Sequence, residues 1–217
     1  VLGLMVSKIN QQKDSSIQSI DFFTHGSQYA LYMVKNKKTN ESSSINTDIP
    51  DENTQSNNLY ASKTTKFFQS WSAGEDEDTI YSIDFKKFTN TAKIEIHGCR
   101  SAGSTLLVDN IATNLSEELY AAGKTRAVVI AHTQKANPNI EGDPVYDKKG
   151  KLISGTSNEK QDYRHGERAI YHNGEVLFTT NIKGRIKGNV IDYYLNKKEK
   201  EGNKYHPSVY TSKTQLK

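Results

Sequence analysis

The 217 residues suffice for one sizeable domain, or at most one and a half. The single cysteine excludes an internal disulfide, and the lack of any run of about 18 apolar residues excludes a membrane-spanning helix. A formal charge of +4, from 29 basic and 25 acidic side chains, is too mild for a nucleic-acid footprint, and the basic excess around 183–187 and 197–204 reads as solvated surface.

The chain opens on Val1-Leu2-Gly3-Leu4-Met5-Val6, inside an apparent amphipathic segment, and residues 1–12 read as a helix or its remnant. The start suggests a piece cut from a longer polypeptide with an earlier strand missing, or an arbitrary beginning; no secretory-signal pattern occurs. Residues 17–24 alternate and then run apolar through Ile17, Ile20, Phe22 and Phe23, which predicts a buried strand. Residues 28–34 are too short a run to separate helix from strand. Residues 36–66 are almost all polar and rich in Asn, Ser and Thr, so they read as a long loop or flexible insertion. That insertion accounts for part of the low hydrophobic fraction of 34%.

Residues 78–85 read as a short strand or helical turn, and 92–98 as a second clear strand. Leu106, Leu107, Ile111, Leu115, Leu119 and Tyr120 then recur at helical spacing, with Gly123 placed to end the helix. The continuously apolar stretch 126–131 is a third strand of the buried parallel type. Strand, helix and strand over 92–131 form one unit, which the handedness rule makes a right-handed crossover. Residues 133–163 form a long polar loop with a turn at Asp147–Gly150. Asn173-Gly174 between two apolar runs predicts a β-hairpin from Arg168 to Phe178. Residues 189–200 read as a short helix and 201–217 as a tail. The sum is a single α/β domain over 1–217: a three-layer sandwich with a mostly parallel central sheet and a C-terminal hairpin.

The chemistry-bearing residues gather at two strand ends. One strand runs into Thr24-His25-Gly26 and the other into His97-Gly98-Cys99-Arg100-Ser101. If these strands are parallel neighbours, an imidazole and a thiol meet at the carboxyl edge of a sheet, where open α/β folds build their sites. A thiol with an imidazole in reach is the minimal apparatus for covalent acyl transfer. Gly26 and Gly98 would let backbone approach a substrate and hold its oxyanion, with the Cys99 amide as the other natural donor. The blander reading of a lone cysteine is a small buried hydrophobe, against which stand its polar, glycine-rich neighbours.

Six histidines are present. His97 is either a wall of the site or a strand-end ring bonded to backbone. His132 ends the third strand and could face substrate from the same edge. His165, also followed by glycine, is the rival to His25 as the thiol's partner. His172 in the hairpin turn and His206 in the tail read as solvent groups. The scattered histidines, without HExxH or a cysteine pair, offer no metal motif, and no phosphate-cradling glycine loop or cofactor motif is present.

The order strand–His-Gly, strand–Gly-Cys, helix, apolar strand resembles the caspase-like cysteine peptidases over residues 15–135. That group includes caspases, gingipains, clostripain-type enzymes and the self-processing domains of large bacterial toxins. The stretch from Asp109 to Leu115, then Ala127 to Thr133, then the hairpin also looks like C-terminal toxin domains of large bacterial polymorphic proteins. The 36–66 insertion departs from the family by lengthening the His-to-Cys spacing. The resemblance implies a cysteine endopeptidase with Cys99 as nucleophile and His25 as proton donor to the leaving amine. Gly26 and Gly98 would lie at the oxyanion, and His97, Arg100, His132 and His165 on the substrate side. It implies a protein or peptide substrate, an inhibitory or immunity protein as a further partner, no cofactor or metal, and neither nucleic acid nor membrane. It also implies an effector secreted or translocated into a reducing cytosol. The alternatives are a catalytically inactive protein-binding domain of the same fold, and a toxin of other chemistry on the same scaffold.

Overall fold

A computed structural model describes residues 2–23, 25–26, 30–33, 57–60, 80–103, 110–136, 145–155 and 163–214. The chain opens with helix α1 (Leu2–Asn10) and strand β1 (Ile17–Phe22). The short strands β2 (His25–Gly26), β3 (Ala30–Met33) and β4 (Asn57–Tyr60) follow. Next come β5 (Phe88–Ile96), helix α2 (Ile111–Ala121) and β6 (Val128–His132). The hairpin β7 (Val145–Tyr146) and β8 (Leu152–Ser154) precedes a second hairpin, β9 (Arg168–His172) and β10 (Glu175–Thr180). Helix α3 (Gly188–Glu201) and strand β11 (Ser208–Tyr210) close the described chain.

The result is an α/β fold around a six-strand sheet of order β1-β5-β6-β9-β10-β11. β1, β5 and β6 run parallel, as do β10 and β11, whereas β9 is antiparallel to both β6 and β10. The sheet is therefore mixed and partly parallel: β9 alone of its six strands runs against the others. The hairpin from β9 into β10 turns at Asn173-Gly174, whose two residues have φ of 49° and 74°. Two successive positive φ values make the tight primed turn that only antiparallel strands can share.

Cores form on both faces of the sheet. Successive β6 residues alternate between them: Val129 and Ala131 join one cluster with Leu115 and Leu119 of α2, while Val128 and Ile130 join another with Val190 and Tyr194 of α3. That two-sided burial is why this segment reads as a continuous apolar run. β5 begins at Phe88, earlier than the pattern predicts, because Phe88 and Phe85 stack in the first core at 5.8 Å.

Several predicted elements take another form. β1 is an edge strand of this sheet among the described residues; only Phe22 of it is buried, so it is half-buried and not a core strand. The ambiguous segment near residue 30 is a strand, and part of the 36–66 insertion, Asn57–Tyr60, pairs with it beside β2 in a separate three-strand sheet. Residues 36–56 and 61–66 lie outside the described residues, as do 104–109 with Leu106 and Leu107 of the predicted helix. Asn110 caps α2 at its start by accepting from the Thr113 amide. The expected tail is in part structure: β11 extends the sheet, and Tyr205 and Tyr210 pack on the second core.

Candidate functional site

The condition set by the sequence is met in the backbone. β1 and β5 are adjacent and parallel, paired through Phe22↔Ile96. Beyond that pair the His97 amide donates to the Phe22 carbonyl at 2.8 Å. The two chains then part, one into β2 and the other into the Cys99 turn. They come back into contact at the glycines. A Cβ on Gly26 would stand 3.1 Å from Gly98 Cα and 3.4 Å from the Cys99 carbonyl oxygen. A side chain at Gly26 would therefore press on the backbone of the Gly98-Cys99 turn, and glycine there lets the His25-Gly26 strand lie close against it. The His25 side chain itself lies outside the described residues; its backbone pairs with Tyr32 in β2/β3.

The Cys99 turn is tightly anchored. Arg100 takes φ 53° and Gly103 φ 63°, and the Gly103 amide closes the turn on the Arg100 carbonyl at 2.9 Å. Amides of Arg100 and Ala102 donate to Gln134 and His132 carbonyls, both at 2.9 Å, which fastens the turn to the end of β6. Buried Ser101 donates to the Gly98 carbonyl at 3.0 Å. The Ala102 carbonyl receives both Asn110 Nδ2 at 3.0 Å and the Tyr171 hydroxyl at 2.9 Å. Cys99 is half-buried, not a core residue, and its thiol donates to the Ala136 carbonyl at 3.6 Å. Arg100 is exposed beside it.

The histidines separate. His97 is 3% exposed and bonds a carboxylate, not backbone: its Nε2 lies 2.9 Å from Asp21 Oδ1. A carboxylate only accepts, so Nε2 carries the proton and Nδ1, buried without a hydrogen-bond partner, is the bare nitrogen. Burial lowers the His97 pKa more than the Asp21 bond raises it, so the ring is neutral at pH 7. Burial pushes the Asp21 carboxyl up, but the bond from His97 and the charge of Arg164 outweigh it and hold the group below its ordinary value. His132 is 3% exposed, with its ring 6.2 Å from that of His97, so it does not face solvent. Burial above all, then the charge of Arg168, lowers its pKa to about 4. His165 is half-buried and near enough to His132 for its charge to contribute. His172 is no solvent group: it meets the Thr125 carbonyl at 2.8 Å and packs edge-on against Tyr120. His206 is exposed, as expected.

Behind these rings lies a polar cluster that sequence reasoning missed. Asp21 and Glu95 are register partners on β1 and β5. Arg164 donates Nη2 to Asp21 Oδ1 at 2.5 Å and Nε to Glu95 Oε2 at 3.1 Å. Arg185 reaches Asp21 Oδ2 at 3.6 Å, and Phe23 stacks on His97 at 4.4 Å. The available signal was an acid in each of two apolar strands, with no partner that spacing could identify. Asp21, Glu95 and His97 bring ligand atoms within 4.8 Å of one another, a metal-like grouping. Arg164 already occupies one oxygen of each carboxylate and, with Arg185 on Asp21, supplies positive charge to the pair, so the grouping fits a guanidinium as it stands.

No family model, curated protein or solved structure matches the chain.

Proposed function

We propose that the chain is a caspase-like cysteine endopeptidase, its sheet and flanking helices forming that family's three-layer sandwich. The observation that carries this reading is the seating of the His25-Gly26 strand on the Gly98-Cys99 turn at the carboxyl edge of two parallel strands. The half-buried thiol on an anchored turn supports it. In this mechanism His25 takes the Cys99 proton, and the thiolate sulfur attacks the scissile carbonyl carbon, sending the π electrons onto oxygen. The Gly26 and Cys99 amides hold that oxyanion. As it collapses, the C–N bond breaks and His25 gives its proton to the leaving amine. Water then adds to the thioester and releases the acid with the thiol restored. The substrate is a protein or peptide, and the domain acts as a bacterial effector or self-processing unit.

The test is iodoacetamide labelling of Cys99 at pH 7, beside cleavage of a peptide library. An unassisted thiol is only about 3% thiolate at that pH, so an assisted one should label about tenfold faster or more. His25→Ala should remove that excess, His165→Ala should not, and Cys99→Ala should abolish cleavage. A wild-type thiol no faster than an unassisted one, with no peptide cut, replaces the peptidase reading with the protein-binding domain. Loss in His165→Ala alone transfers the base role to His165.

A further inference from the structure

The tip of β1 has few supports. Among the described residues β1 pairs with β5 alone, and it is the strand that delivers His25. After the Phe22↔Ile96 pair and the single His97-to-Phe22 amide bond, its ladder to β5 ends. Among the described residues the further ties are the Gly26–Gly98 backbone contact and the stacking of Phe23 on His97, while His97, Arg164 and Arg185 hold Asp21 one residue before the last pair. Arg164 and Arg185 come from a distant part of the chain, and of the two only Arg164 is seen to reach β5 as well. It grips a carboxylate on each strand with separate nitrogens of one planar fork. Its own backbone is fixed, because its carbonyl accepts the Gly184 amide at 2.7 Å and Arg168 Nη2 donates to the Gly184 carbonyl at 3.0 Å. The guanidinium is thus a clip between two strands whose ends diverge toward His25 and Cys99.

We infer that Arg164 is a positioning residue for the Cys99–His25 pair: by bridging Asp21 on β1 to Glu95 on β5 it sets the spacing of the two strand tips. The chemical half of this inference rests on the peptidase reading; the mechanical half does not. The fork matters because it places Nη2 and Nε on the two carboxylates in one rigid plane, whereas the three donors of Lys radiate from a single nitrogen on a flexible stem and fix no such spacing.

The experiment compares wild type with Arg164→Lys, Arg164→Gly and Asp21→Asn, each checked by thermal melting. Two quantities are read: the rate of Cys99 labelling by iodoacetamide, and amide exchange of segments 17–23 and 97–103, with helix 111–121 as internal reference. Arg164→Lys should melt like wild type, exchange faster in both tip segments but not in the helix, and label Cys99 about tenfold more slowly. Methylguanidinium at low millimolar concentration should restore labelling in Arg164→Gly, where urea at the same concentration should not. Unchanged tip exchange in Arg164→Lys and Asp21→Asn overturns the inference. So does faster exchange with labelling at the wild-type rate, which leaves Arg164 a structural ion pair only. If wild-type Cys99 is no more reactive than a free thiol, the peptidase reading falls, and the exchange data still decide whether Arg164 clips the strands.

Discussion

His132 shows how a single residue changes meaning between sequence and structure. It ends an apolar strand in reach of a candidate site, yet its ring is buried and Nε2 has no hydrogen-bond partner. Its folded pKa of about 4 lies below the roughly 6.5 of an unfolded chain. Between those values the unfolded state binds more protons, so stability is full above about pH 6.5 and is lost as pH falls toward 4. The loss is on the order of 3 kcal/mol. His97 and His172, also lowered by burial, add to it with the same sign. Asp21, held below its ordinary value, adds its own loss only at pH below about 4. We expect urea unfolding of wild type to show markedly lower stability at pH 4.5 than at pH 7, and His132→Asn to show a smaller difference. An equal difference in both would assign the acid sensitivity to other groups. Cys99, His25 and their glycines are legible from residue type and neighbours, because reactive and small residues in a polar turn are unusual. Arg164 is not legible, because its meaning lies in two carboxylates far away in sequence, and one arginine in a polar loop resembles any other.

At the scale of elements, turns carry the site and were the most readable features. The Asn173-Gly174 turn was evident because its backbone needs two positive φ values, and Gly174 meets that need at 74°. A Cβ there would also fall 2.3 Å from Glu117 Oε1. Gly174→Ala should therefore cost about 1–3 kcal/mol through backbone strain, part of the clash being relieved by rotation of Glu117; a thermal melt measures it. Gly26 differs, since its conformation is ordinary and the obstacle is the Gly98 backbone 3.1 Å away. Gly26→Val should drive the two turns apart and slow Cys99 labelling by about tenfold, with a melting temperature close to wild type. A wild-type labelling rate in Gly26→Val would mean that this contact does not set the chemistry. The β2/β3/β4 sheet was harder to read, because four-residue strands among polar neighbours show too little alternation to register a period.

The whole molecule depends on two cores on opposite faces of one sheet, and the C-terminal residues belong to the second. Their sequence, polar and lysine-rich, gives no periodic signal; the burial comes from tyrosines spaced too far apart to form a pattern. Tyr205 donates its hydroxyl to the Leu177 carbonyl of β10, and burial raises its pKa. Tyr210 lies edge-on to Phe178 at 6.1 Å, and its carbonyl accepts the buried Thr180 hydroxyl at 2.9 Å. Tyr194 of α3 stacks on the same Phe178 at 4.2 Å, so strand, helix and C-terminal segment share one aromatic cluster. Tyr205→Phe removes one hydrogen bond and should cost about 1 kcal/mol. Deleting 205–217 uncovers Phe178 and Leu177, leaves β10 as an edge, and should cost several kcal/mol by the scale of large core truncations. Because β6 contributes alternate residues to both cores, the first core should not survive the loss of the second. Urea unfolding of the truncated chain, followed both by circular dichroism and by the exposure of Cys99, should show one coincident transition at lower denaturant. Two separated transitions would mean that the sheet's faces fold independently and that the Cys99 turn does not rely on the C-terminal aromatic cluster.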